Sequence, residues 1–293
     1  MKTIENALPT QAHARKPTDD QIDFYGLTHA GKVRNENQDH FLLSSLHKRM
    51  EVHLTSLPNA SELYEEPDRL AYLAMVADGV GGGPGGEAAS RRALEALSRY
   101  AAGSMDCYYT ADPADDQAFT QALADAALHC HQDLRERSGA ESGKGMATTL
   151  TLMLFVWPRA YLLQVGDSRH YILRDGELTQ ISRDQTLAQV LVDDDVFSRT
   201  EAAKSPLSNV LSSAIGGSET TPVVTGIDND WDYVHLLCSD GLTKHVSDEQ
   251  IAERLRSLTS SKQACEDLLQ DALDGGGSDN ITVIVGRSSR NVA

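Results

Sequence analysis

From Met146 onward the chain reads MATTLTLMLFVW, then AYLLQVG, then HYILRDGELTQI, three apolar segments with almost nothing between them. Runs of this length and hydrophobicity read as strands, and connections this short join antiparallel neighbours. Asp175-Gly176 divides the last segment, and an Asp-Gly pair tolerates the positive φ that a two-residue hairpin turn requires. The middle of the chain is therefore committed to antiparallel sheet.

Helix signals come in blocks on either side. Asp112-Pro113 supply an N-cap and a first helical residue, after which Phe119, Leu123, Ala127, Cys130 and Leu134 keep one apolar face until Gly139. Residues 87–102 read as another helix. Ser247 with Gln250 is a capping box opening a third, and residues 261–273 form a fourth before Gly275-Gly276-Gly277. Helices in blocks, between groups of hairpin-linked strands, predict a layered α+β fold rather than alternating βαβ units.

At 293 residues, one domain is the economical reading. Residues 1–20 are polar and aperiodic, with Pro9 and Pro17, and read as a disordered arm. Residues 21–290 read as a single domain with a surface insertion near 44–69 and a mobile flap near 193–208, DDDVFSRTEAAKSPLS. A net charge of −17 argues against a nucleic-acid partner, since polyanions repel. The longest apolar stretch, LTLMLFVW, is too short for membrane insertion, and MKTIENALPTQAHARK has no signal-peptide core, so a cytoplasmic location is expected. Cys107, Cys130, Cys238 and Cys265 form no CxxC pair and suit reduced thiols.

Apolar runs in this chain end repeatedly at an aspartate. AYLAMVADG ends at Asp78-Gly79, YVHLLCSDG at Asp240-Gly241 and AYLLQVGDS at Asp167, while Asp279 immediately precedes the apolar strand in GGGSDNITVIV. A single strand-end aspartate is ordinarily a turn residue bonded to nearby backbone amides. Four of them imply more if their strands share a sheet edge, because the carboxylates then converge. Converging anions either hold protons or take in a cation. Without a Cys/His cluster, an all-oxygen set selects Mg2+ or Mn2+ over zinc. Asp78 would bridge two ions, and the adjacent glycine would leave the Gly79 carbonyl free to be a ligand.

A rival pattern overlaps this one. Gly81, Gly83 and Gly86 satisfy G-x-G-x-x-G between a strand and a helix, the dinucleotide-binding spacing. No parallel βαβ series follows, and the spacing leaves the other three aspartates unexplained. A nucleotide P-loop is excluded, because no Gly-Lys-Ser/Thr follows the glycines.

Seven stretches in order, GKVRNENQDHF, VADGVGGGPGGEAAS, GMATTLTL, QVGDSRHYILRDGELTQIS, NVLSSAIG, LLCSDGLT and SDNITVIV, resemble the metal-dependent serine/threonine protein phosphatases of type 2C. This is the PPM family in its bacterial form, and the likeness extends from about Gly31 to Val285. The resemblance implies an α-β-β-α sandwich, two antiparallel sheets flanked by helices with a binuclear metal cleft between sheet edges. It implies Asp78 as the bridging carboxylate, the Gly79 carbonyl as a ligand of one ion, and Asp240 with Asp279 holding the other. Asp167 resembles a residue that helps hold a third, weaker ion. Arg34 resembles the guanidinium that grips the substrate phosphate in a planar fork. Asp39 resembles a carboxylate that orients metal-bound water, and Gln38, Ser168 and Asn280 take supporting places.

The implied activity is hydrolysis of phosphoserine or phosphothreonine on proteins by water activated in a binuclear Mg2+ or Mn2+ centre. Phosphorylated proteins, and a cognate serine/threonine kinase that makes them, are the implied partners. Four departures stand out: Gln38 where many members have glutamate, Ala147 for a usual glycine, Gln185 where histidine is frequent, and Val80 where some members carry a histidine proposed as general acid. Gln38 and the missing general acid motivate an alternative, a catalytically weak regulatory or binding module on the same fold. A dinucleotide-binding enzyme is a distant third.

Overall fold

The computed structural model describes residues 15–48, 68–81, 84–103, 116–141 and 145–290. A 3-10 turn, Asp19–Gln21, leads into β1 (Ile22–His29), β2 (Asp39–Lys48) and β3 (Asp68–Val80), followed by α1 (Pro84–Gly103) and α2 (Asp116–Glu141). The predicted strand-rich run forms β4 (Ala147–Thr148), β5 (Leu150–Val156), β6 (Arg159–Val165), β7 (Arg169–Arg174) and β8 (Glu177–Gln180). Two short helices follow, α3 (Leu187–Asp193) and α4 (Arg199–Lys204), then a 3-10 turn at Pro206–Asn209, β9 (Val223–Asp228) and β10 (Val234–Cys238). The one-turn α5 (Asp240–Thr243), α6 (Asp248–Arg256), α7 (Ser261–Asp274) and β11 (Ile281–Ser288) come last.

Local signals account for much of this. The β7–β8 hairpin turns on Asp175 and Gly176, both at positive φ (52° and 77°). Ser247 caps α6 and Gln250 returns the bond, the capping box expected there. The segment expected as a flap near 193–208 starts at the last residue of α3 and holds α4 and most of the 3-10 turn, with a second capping box from Ser198 and Glu201. The insertion expected over 44–69 overlaps strand at both ends, since β2 runs to Lys48 and β3 starts at Asp68. Residues 49–67, residues 1–14 of the N-terminal arm, Cys107 and the Asp112-Pro113 cap lie outside the described residues.

The strands form two sheets, one in the order β1-β11-β10-β7-β8 and one in the order β2-β3-β5-β6-β9, with β4 paired to β3. Among the described residues every strand pairing is antiparallel. That removes the dinucleotide-binding reading, which needs parallel neighbours joined by a crossover helix.

Side-chain alternation separates three apolar layers. Leu73, Met75 and Ala77 of β3 pack with Leu150, Leu152 and Leu154 of β5 beneath α1 and α2. Leu236 and Cys238 of β10 and Ile281, Val283 and Val285 of β11 pack beneath α6 and α7. The alternate residues, Ala74, Val76, Met153 and Phe155 from one sheet and Leu237 and Ile284 from the other, meet between the sheets. The result is the α-β-β-α sandwich.

Two histidines interrupt that middle layer. His170 and His235 are buried and stacked, with His170 Nε2 3.2 Å from His235 Nδ1 and His235 Nε2 3.0 Å from Asn229 Oδ1. Burial holds both rings neutral, His170 well below its ordinary value and His235 down to about 3. A histidine depressed in the folded state supports stability above its unfolded value, and that support is lost as pH falls. The two rings should therefore subtract stability as pH falls between about 6.5 and 5, by up to about 1.4 kcal/mol per pH unit for each. Urea unfolding of the unsubstituted chain and of His235→Gln at the two pH values should differ by that share, the variant faring relatively better at pH 5.

Candidate metal centre

Asp39 and Asp78 are direct partners in the β2–β3 register. The alternation that turns Ala74 and Val76 toward the opposite sheet turns Asp78 the same way. Asp78 lies within β3 rather than beyond its end. Asp240 opens α5 directly after β10, and Asp279 stands two residues before β11, the neighbouring strand. Asp167 lies where the chain crosses from β6 in one sheet to β7 in the other. The four carboxylates therefore do not share one sheet edge, the condition set by the sequence pattern. They converge because strand ends of two stacked sheets meet.

Each is held by specific neighbours. Asp39 is buried, and its Oδ2 accepts from Ser239 Oγ and Thr282 Oγ1, both at 2.7 Å, so it ties β2 to the opposite sheet. Asp78 is fixed through its backbone: its N–H donates to Thr149 Oγ1 at 3.0 Å, and its carbonyl accepts from Thr148 Oγ1 and Thr149 N at 2.8 Å. Ser168 Oγ lies 2.8 Å from Thr149 Oγ1, which is how Ser168 reaches Asp78. A Cβ on Gly79 would overlap the Gly86 carbonyl, so glycine is required here to seat the first turn of α1 as well as to expose a carbonyl.

Asn280 organises the loop that carries Arg34. Its Nδ2 donates to the Ala30 and Glu36 carbonyls at 3.0 and 2.9 Å, and its Oδ1 accepts from Gln38 N at 2.9 Å. The Gln38 carbonyl accepts in turn from Gly79 N at 3.2 Å and Ser90 Oγ at 2.5 Å, so Gln38 links that loop to β3 and α1. Arg34 grips Asp279 with its fork, Nε to Oδ1 at 2.8 Å and a terminal nitrogen to Oδ2 at 3.0 Å. Lys244, which the sequence pattern did not single out, places its Nζ 2.6 Å from Asp240 Oδ2 and 2.7 Å from Asp279 Oδ2. Its position four residues after Asp240 was the available clue.

The charges respond to this crowding. Asp78 is held well above the usual carboxylate range, first by burial and then by Asp39, Asp240, Asp167 and Asp279. Burial, with Asp240 next, pushes Asp167 up to about 7. Burial takes Asp39 to about 6 against the hydrogen bonds from Ser239 and Thr282. Asp240 is raised by burial despite Lys244. Asp279 is the exception: burial would raise it, but Arg34 and Lys244 outweigh that and bring it down.

Asp39 Oδ1 and Asp240 Oδ1 are buried without a hydrogen-bond partner, which is costly for a carboxylate. Buried all-oxygen donors short of positive charge fit a hard divalent ion. Among the described residues, no three acidic, histidine or cysteine side chains already form a cage for one. Between Asp240 and Asp279 the gap is filled by the Lys244 ammonium.

The family model described as protein phosphatase 2C matches residues 60–275. The chain belongs to the protein phosphatase 2C family. It is 39% identical over 219 residues to the serine/threonine protein phosphatase PstP of Mycobacterium tuberculosis, a match over 73% of this chain and 40% of that relative. The chain thus corresponds to less than half of the relative's length. It is also similar to the crystal structure of the M. tuberculosis serine/threonine phosphatase PstP/Ppp, at 32% identity and a TM-score of 0.72, covering 92% of this chain and 99% of that one. The catalytic domain of PstP in complex with two manganese ions superposes with a TM-score of 0.69 at 31% identity, over 92% of this chain and 98% of that one.

Within this family frame, Gln185 is one of the departures. Its Oε1 accepts from Gly166 N at 2.8 Å and its Nε2 donates to the Thr221 carbonyl at 2.9 Å, so it anchors the turn leading into Asp167. Gly241 is the tightest packing point of the 2C chain's cleft, since a Cβ there would overlap the Asn280 carbonyl oxygen. Gly241→Ala is expected to cost about 1–3 kcal/mol by forcing α5 away from Asn280 and the start of β11. Urea denaturation in chelator, where no ion contributes, measures it.

Proposed function

We propose that this chain is a metal-dependent protein phosphatase that hydrolyses phosphoserine and phosphothreonine on proteins. The convergence of Asp39, Asp78, Asp167, Asp240 and Asp279, with two buried carboxylate oxygens lacking any donor, carries the reading. Asp78 and the Gly79 carbonyl would hold one Mg2+ or Mn2+ ion, Asp240 and Asp279 a second bridged through Asp78, and Asp167 would contribute to a weaker third. Such ions supply an acidified water and positive charge against the phosphoryl oxygens.

The remaining roles belong to the chain's own side chains. Arg34 is half exposed and already presents its fork to an oxyanion, the Asp279 carboxylate, which supports a role in holding substrate phosphate. Asp39 is pinned by two hydroxyls with its second oxygen left over, which suits orienting a water. Gln38 and Asn280 support these groups through side chain–backbone bonds, and Ser168 through the Thr149 hydroxyl. Exposed Val196 in the flap, with Leu187, Val190 and Val210 on either side of it, supports the flap and its flanks as a surface that selects protein substrates. Substrates would come from a serine/threonine kinase. Cys130, Cys238 and Cys265 are free and buried, in keeping with a reducing, cytoplasmic setting. Among the described residues no helix is long and apolar enough to cross a membrane.

Phosphate release from a phosphothreonine peptide should require Mn2+ and vanish in chelator, and Asp240→Asn should lower turnover by about a hundredfold or more. Chelator-resistant turnover would overturn the reading. A pH effect follows from the carboxylates raised in the folded state. Their stabilising protonation is complete below the unfolded carboxylate range and is lost as pH rises through about 6 for Asp39 and about 7 for Asp167. Metal-free protein should therefore lose the thermal stability these carboxylates contribute as pH rises from about 4 to about 7, opposite in sign to the two buried histidines where the windows overlap. Mn2+ should reverse that slope, because ions bind the deprotonated carboxylates.

A further inference from the structure

Lys244 caps the single turn of α5, and its N–H donates to the Asp240 carbonyl at 2.9 Å. One turn of helix brings the side chain back over Asp240, and the ammonium lies between Asp240 Oδ2 at 2.6 Å and Asp279 Oδ2 at 2.7 Å. These are the two carboxylates that the proposed function gives to one ion. The protein's own cations are unevenly spent. Asp279 meets both Arg34 and Lys244, whereas Asp240 Oδ1 and Asp39 Oδ1 meet no donor. The side chain of Lys244 is 31% exposed, so its flexible stem has a way out to solvent.

We propose that Lys244 is an intramolecular competitor for the ion subsite formed by Asp240 and Asp279. Its ammonium closes that subsite in the metal-free protein and must leave before a divalent ion is held by both carboxylates. Two ions therefore bind with unequal strength, the first at the Asp78 side and the second against Lys244. Lys244 is a positioning residue that sets how much divalent ion is needed to fill the centre. The inference rests on the two-ion reading above and goes beyond it, since it concerns the order and strength of filling.

Calorimetric titration of Mn2+ into metal-free protein tests this without measuring turnover. The full chain should show a tight and a weak class of site. Lys244→Met should tighten the weak class by about tenfold, the equivalent of one charged hydrogen bond removed from competition, and leave the tight class unchanged. The same variant should lower the melting temperature in chelator, because Asp240 and Asp279 lose their shared counter-ion. Lys244→Gln, which also removes the charge, must behave alike, and Lys244→Arg should keep the weak class weak. An unchanged tight class serves as the folding control. If the weak class is unmoved or weakened in both neutral variants, the competitor role is overturned while the metal centre stands. If the unsubstituted protein binds no Mn2+, the metal centre itself falls, and this inference with it.

Discussion

Several carboxylates are held together at one end of a sandwich whose two sheets otherwise meet through Ala74, Val76, Met153, Phe155, Leu237 and Ile284. Bringing like charges out of water into such a place is unfavourable unless they are protonated, hydrogen-bonded or neutralised. Each feature around the cleft answers that demand in a different way. Ser239 and Thr282 send hydroxyl donors across the gap to Asp39, making the most buried acid also a tie between the two sheets. Arg34 and Lys244 bring cations to Asp279. The oxygens left over on Asp39 and Asp240 are the unmet remainder, and a divalent ion is the partner whose charge and donor preference suit them.

The backbone is arranged so that these side chains have little freedom to relax away from one another. Thr148 and Thr149 clamp Asp78 from the β4 region, and Ser168 steadies Thr149 from the crossing between the sheets. Asn280 uses both ends of its amide to pin the 30–38 loop, which fixes where Arg34 starts. Gly31, at a positive φ of 79°, passes so close to the Asp279 carbonyl that no larger residue fits. Rigidity of this kind is what a centre needs if its ions are to keep their positions while substrate phosphate comes and goes.

Much of the fold was legible in the chain. The strand-rich run from Met146, the Asp175-Gly176 turn and the Ser247/Gln250 capping box are short-range features whose causes lie within a few residues, and each occurs where the pattern put it. Extents were harder. β2 continues through Ser44–Lys48 because it pairs with β3, and no periodicity in that segment announces a distant partner. The helix inside the 193–208 segment was not legible because α4 is six residues long, too short for an apolar period to show.

The sequence by itself determined that aspartates sit at the ends of apolar runs, and that period-2 alternation puts Asp78 on one face with Ala74 and Val76. It could not say whether that face meets a helix or a second sheet, because alternation distinguishes two sides without naming what covers either. Only the stacking of the two sheets decided this, and with it the meeting of Asp39 and Asp78 with Asp240 and Asp279. Lys244 shows the same division. Its reach to Asp240 is a property of four residues of helix, whereas its bond to Asp279, 35 positions along the chain, exists because β10 and β11 are neighbours.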